Sequence, residues 1–88
     1  MTYTVIYTNR ARKDLAGLPA DIARMCILRI SEIKSNPFLF VHKLEGAKKS
    51  PLYSLRIGQY RAVMAIQDEK AMIFILEIRH RNVIYRKY

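Results

Sequence analysis

The sequence predicts an α+β fold: an N-terminal strand, a two-helix hairpin, a mainly antiparallel sheet of three to four strands and a short C-terminal helical turn. Three observations predict it. The chain opens with a period-two run, TYTVIYT. Two segments of helical spacing follow, hinged at Gly17–Pro19. Three strand-like runs joined by short turns then fill Leu52 to Arg79. With 88 residues there is room for one hydrophobic core, so residues 1–88 form one domain. An apolar fraction of 51% is well above that of disordered chains.

Residues 2–8 combine β-branched and aromatic side chains at period two, the pattern of a half-buried strand. Asn9 is the expected N-cap of a first helix, Arg10 to Ala16, with Ala11 and Leu15 on one face and Gly17 at its end. Pro19 suits the first turn of a second helix, where its missing N–H costs nothing. That helix runs from Ala20 to about Lys34. Its buried stripe is Ile22, Met25, Cys26, Arg29, Ile30 and Ile33, widened by Ile27 and Leu28. Ser35-Asn36-Pro37 ends it, because the residue before proline leaves the helical region. Met25 and Cys26 read as core packing. Residues 37–51 form an irregular connector punctuated by Pro37, Gly46 and Pro51.

The sheet strands are expected at Leu52–Ile57, Tyr60–Gln67 and Ala71–Arg79. Gly58-Gln59 has the form of a type II′ hairpin turn, which pairs Ile57 with Tyr60 and hence Arg56 with Arg61. Like charges directly opposite in a sheet are destabilising, and an anion between the two guanidinium groups would explain them. A three-residue loop at Asp68–Lys70 would put Arg61 opposite Glu77 and close to Arg79. In that register Tyr60, Ala62, Met64, Ile66, Met72, Phe74, Leu76 and Ile78 face the helices. Val63, Ala65, Ile73 and Ile75 remain as an apolar surface for a partner. One more loop residue would reverse the third strand.

Composition removes several chemistries. Three scattered glycines make no phosphate-binding loop or dinucleotide fingerprint. One cysteine and two histidines supply neither a disulfide nor a metal set, and no cofactor is implied. AMIFILEI is interrupted by Glu77 and falls short of the roughly 18 apolar residues of a membrane span. MTYTVIYTNR is no secretory signal, and a cytoplasmic protein is expected.

Sixteen Lys and Arg against seven Asp and Glu give a net charge of +9. That field favours polyanions, nucleic acid foremost, although a plain solubility charge reads the same way from composition alone. The basic set is concentrated: Arg56, Arg61, Arg79, His80 and Arg81, with Tyr60 and Tyr85 beside it and Lys48 and Lys49 just upstream. Arginine offers a planar fork matched to phosphate oxygens and stays charged at any working pH. In RNA cleavage by 2′-hydroxyl attack, charge builds on the phosphoryl oxygens, so fixed cations favour the transition state.

The order LYSLRIGQYR, a DEK turn, FILEIRHRNVIYR, and the preceding ARKDLAGLP and SNP segments resembles the RelE toxins of prokaryotic toxin–antitoxin modules, an archaeal member being the match expected. The resemblance covers nearly the whole chain. It implies a fold similar to microbial ribonucleases, cleavage of mRNA in the ribosomal A site without a metal, and neutralisation by a RelB-type antitoxin in a heterodimer or heterotetramer. It places the catalytic set on Arg61, Arg81 and Tyr85, and RNA contacts on Arg56, Lys48, Lys49, Arg79 and His80. Where well-studied members carry lysines, this chain has Leu52 and Ser54. No obvious general base appears; His42 reads either as that base or as an ordinary loop histidine. Two other readings stay open: a ParE-like toxin of the same fold that poisons DNA gyrase, and an RNA-binding module without activity.

Overall fold

A computed structural model describes residues 2–44 and 51–80. Strand β1 (Thr4–Tyr7) leads into helices α1 (Asn9–Ala16) and α2 (Ala20–Glu32). A 3-10 turn at Pro37–Leu39, strand β2 (His42–Lys43), strand β3 (Leu52–Ile57), strand β4 (Tyr60–Gln67), a second 3-10 turn at Asp68–Lys70 and strand β5 (Met72–His80) follow. One five-stranded sheet has the order β1-β5-β4-β3-β2. β1 runs parallel to β5 and the other pairs are antiparallel. This is the expected α+β architecture with β2 added, a strand too short to show a period in sequence. The expected C-terminal helical turn lies outside the described residues.

Thr8, not Asn9, caps α1. Its backbone is extended and its hydroxyl oxygen accepts from the Ala11 N–H. The same hydroxyl lies 2.9 Å from the Ile75 carbonyl and 3.2 Å from that of Leu76, where β1 stops covering the edge of β5. Asp14, in the second turn of α1, takes over that edge by accepting from the Ile78 N–H at 3.0 Å. α1 therefore completes the sheet edge that β1 leaves open.

α2 ends at Glu32, two residues earlier than its spacing suggests, with Ile33 as its cap. Cys26, Ile30 and Ile33 are fully buried. Met25, Ile27 and Leu28 are not, Leu28 being 60% exposed. The core stripe is thus narrower than expected, because the sheet covers a single i, i+4, i+7 row. Met25 instead lies at the rim, its methyl group beside Gly58.

The β3–β4 hairpin has the expected register, Ile57 opposite Tyr60 and Arg56 opposite Arg61. Gly58 has φ of 56°, and Gln59 does not share the positive φ, as a II′ turn requires. The β4–β5 connection differs from the expected three-residue loop. Ala71 adds a left-handed residue (φ 52°, ψ 50°) after Asp68–Lys70, so Gln67 pairs with Met72.

That extra residue reverses the first half of β5. Ile73 and Ile75 join Ala62, Met64, Cys26, Ile30 and Ile33 in the core, whereas the expected reading put them on the outer surface. Met72 and Phe74, expected to face the helices, take the other side with Ala65 and Gln67. The register then shifts between Val63 and Met64, which pair with Glu77 and Ile75. Leu76 is the additional residue, a β-bulge that restores the original facing for the rest of β5. Ile78 therefore packs in the core, and Glu77 and Arg79 turn outward opposite Val63 and Arg61.

Burial raises the pKa of the Tyr7 phenol and of the Cys26 thiol. Tyr3, just before β1, donates its hydroxyl to Asp68, and that bond raises its pKa too. No helix among the described residues is long and apolar enough to cross a membrane.

Removing the Thr8 hydroxyl (Thr8→Ala) should cost about 1–2 kcal/mol in urea unfolding, since it caps α1 and serves the bulge carbonyls. Tyr7 contributes stability in full below its unfolded pKa of about 10, and that contribution is lost as pH rises through its higher folded value. Urea midpoints should therefore fall above pH 10, and Tyr7→Phe should flatten that fall.

Candidate functional site

On the side of the sheet turned from the helices, the register sets Arg56 of β3 opposite Arg61 of β4, and Arg61 opposite Arg79 of β5. The expected Arg61–Glu77 pair is replaced by this Arg61–Arg79 pair, a consequence of the bulge. Three guanidinium stems thus start from adjacent strands, about 4.8 Å apart. Each like-charge pair works against the sheet by a few tenths to about 1 kcal/mol. Folding alone gives no reason to stack two of them.

Two side chains fix the row. Ser54, fully buried in β3, accepts from Arg61 Nη1 at 3.1 Å. It lies diagonally across the hairpin from Arg61, because Ser54 itself pairs with Val63. Glu77, only 1% exposed, stands two residues before Arg79 on the same face. Its Oε1 lies 3.4 Å from Arg79 Nε and 3.0 Å from Arg10 Nη2. Arg10 comes from α1, whose first turn contains no acid. A cation there opposes the helix dipole, and Glu77 supplies the compensating charge.

The other expected residues are distributed unevenly. His42 pairs with Ser54 across β2 and β3, so it shares the arginine face, and it is exposed. His80 alternates to the other face, where it pairs with Tyr60, ring edge to ring face at 5.6 Å. It stands apart from the arginine row. Arg81, Tyr85, Lys48 and Lys49 lie outside the described residues. Arg10 and Ser54 were not among the expected site residues. Signals for both exist in the sequence: a basic first helical turn, and a small polar residue diagonal to Arg61 in the hairpin register.

This arrangement can hold an anion between forks from neighbouring strands, with Glu77 limiting the charge on one flank. Residues 5–85 match the family described as ParE toxin of type II toxin-antitoxin system, parDE. The chain belongs to the RelE/ParE superfamily of toxin–antitoxin toxins. It is 36% identical to Toxin RelG of Mycobacterium tuberculosis, over 99% of this chain and 100% of that protein. It is 26% identical to the mRNA interferase toxin RelE of Escherichia coli, over 97% of this chain and 92% of that protein. Among solved structures, the archaeal RelE–RelB complex from Pyrococcus horikoshii superposes with a TM-score of 0.78 at 30% identity, covering 94% of this chain and 99% of that one. These relatives come from bacteria and an archaeon alike, so an archaeal lineage is not singled out. That neighbour was solved as a complex of RelE with RelB.

Because Arg56 is exposed and faces another cation, Arg56→Thr should raise stability by up to about 1 kcal/mol. If the row holds an anion, the same substitution should weaken binding of a single-stranded polyanion probe and lower the slope of log affinity against log salt by about 0.7. Thermal melts and filter binding across a salt series measure both.

Proposed function

We propose that this toxin is a ribosome-dependent mRNA endonuclease that inhibits translation by cutting the message in the A site. The observation that carries this reading is the arginine row, in which Arg61 has a second arginine opposite it on either side. In the reaction, the 2′-hydroxyl oxygen bonds to the adjacent phosphorus and its proton passes to a base. The bond to the 5′-oxygen breaks and that oxygen takes up a proton from an acid or water, leaving a 2′,3′-cyclic phosphate and a 5′-hydroxyl. Arg61 and Arg81 stabilise the charge that grows on the phosphoryl oxygens, and Tyr85 stacks on a base or hydrogen-bonds at the cleaved linkage. Arg56, Arg79, Lys48 and Lys49 hold the backbone; His80, on the other face against Tyr60, is left out of that set. The ribosome bends the message for in-line attack, a step in which position counts for several kcal/mol. Neutralisation falls to a RelB-type antitoxin, in a heterodimer or heterotetramer; the solved RelE–RelB complex supports the kind of partner.

A second reading is favoured by the description of the matched family: a ParE-like toxin that poisons DNA gyrase without touching RNA. Primer extension on mRNA in a translation extract, run beside a gyrase supercoiling assay, separates the two. Cuts in A-site codons with gyrase unaffected support the endonuclease. Intact message with inhibited gyrase supports the alternative.

Arg61→Ala and Arg81→Ala should each lower cleavage by at least about 100-fold, the scale of one lost transition-state contact, and abolish growth arrest with the circular dichroism spectrum unchanged. Full toxicity in both variants would remove the site assignment.

A further inference from the structure

Glu77 is the one buried carboxylate among the described residues, and it lies on the face that otherwise gathers cations. A buried acid is costly unless it is paired. Here the pairing adds an ionic link between α1 and β5, which already meet through Asp14 and the Ile78 N–H: Arg10 of α1 lies at 3.0 Å and Arg79 of β5 at 3.4 Å. Both arginines remain partly exposed, with side chains 43% and 38% accessible, so each keeps donors for an outside anion. Arg79 is also the residue opposite Arg61.

We propose that Glu77 is a positioning residue: its carboxylate fixes Arg79 beside Arg61 and draws Arg10 of α1 into the anion-binding face, where Arg10 contacts a phosphate neighbouring the scissile one. The inference rests on the endonuclease reading for its chemistry, but the clamp itself is a property of the fold. A free arginine has many rotamers, and a carboxylate on one side of the guanidinium selects among them before RNA arrives. The acid also trims local charge. Binding is thereby weaker than four uncompensated arginines would give, while the geometry at the reacting phosphate is better defined.

This separates Glu77 from a residue that only holds the fold, because binding and cleavage should move in opposite directions. Glu77→Gln keeps the shape and removes the charge. With a 2′-O-methyl RNA oligonucleotide, which cannot be cut, the variant should bind more tightly, its salt slope steeper by about 0.7. With message on stalled ribosomes, single-turnover cleavage at saturating toxin should fall by about 10- to 100-fold, the cost of a misplaced group. Arg10→Ala, on the helix surface, should reduce both binding and cleavage. Should Glu77→Gln fail to fold, Arg10→Ala gives the deciding measurement. Cleavage unchanged in Glu77→Gln, RNA binding and cleavage lost together, or Arg10→Ala indistinguishable from the parent would each overturn the proposal. If the parent protein leaves the message intact, the endonuclease reading fails, and the oligonucleotide arm still decides whether Glu77 sets the cation geometry.

Discussion

Leu76, an additional residue in β5, decides which side of the sheet carries the cations. Were Leu76 paired with Val63 instead of bulged out, the register set by the Gln67–Met72 pair would continue, and Glu77 and Arg79 would point into the core. Burying both charges under the helices would cost several kcal/mol, more than a domain of this size can lose. With the bulge, Ile73, Ile75 and Ile78 all reach the core while Glu77 and Arg79 reach the other face. One irregularity reconciles an apolar strand with a charged site.

The bulge is supported from outside the sheet. Thr8 brings its hydroxyl to the carbonyls of Ile75 and Leu76, and Asp14 accepts from Ile78 beyond them. The same short segment turns the chain into α1 and so delivers Arg10 to Glu77. Edge completion, helix capping and placement of a cation are consequently one structural event. The opposite end of the row is simpler, since the II′ turn at Gly58 fixes Arg56 against Arg61 through local geometry alone.

That difference explains what the sequence revealed. The β3–β4 hairpin was legible because a glycine-first two-residue turn leaves one register. The architecture was legible because period two and helical spacing occupy separate stretches of the chain. The β4–β5 register was not, because Ala71 adopts a left-handed conformation that alanine does not advertise, and because a bulge leaves no mark on hydrophobic spacing when both flanking halves of β5 are apolar. The exposure of Met25, Ile27 and Leu28 was missed since composition alone makes α2 look apolar on most of its surface. Of the site, Arg56, Arg61 and Arg79 were found as a set. Ser54 and Arg10 were passed over because their role lies in what they touch across the fold.

The claim on which everything else depends is that Arg56, Arg61 and Arg79 act as one anion site. Arginine Nε–Hε resonances followed by NMR during titration with a 2′-O-methyl RNA oligonucleotide test it most directly. A shared site predicts that the three signals shift together with one midpoint. Shifts confined to α2 around Ile27 and Leu28, with the three arginines unmoved, would contradict it.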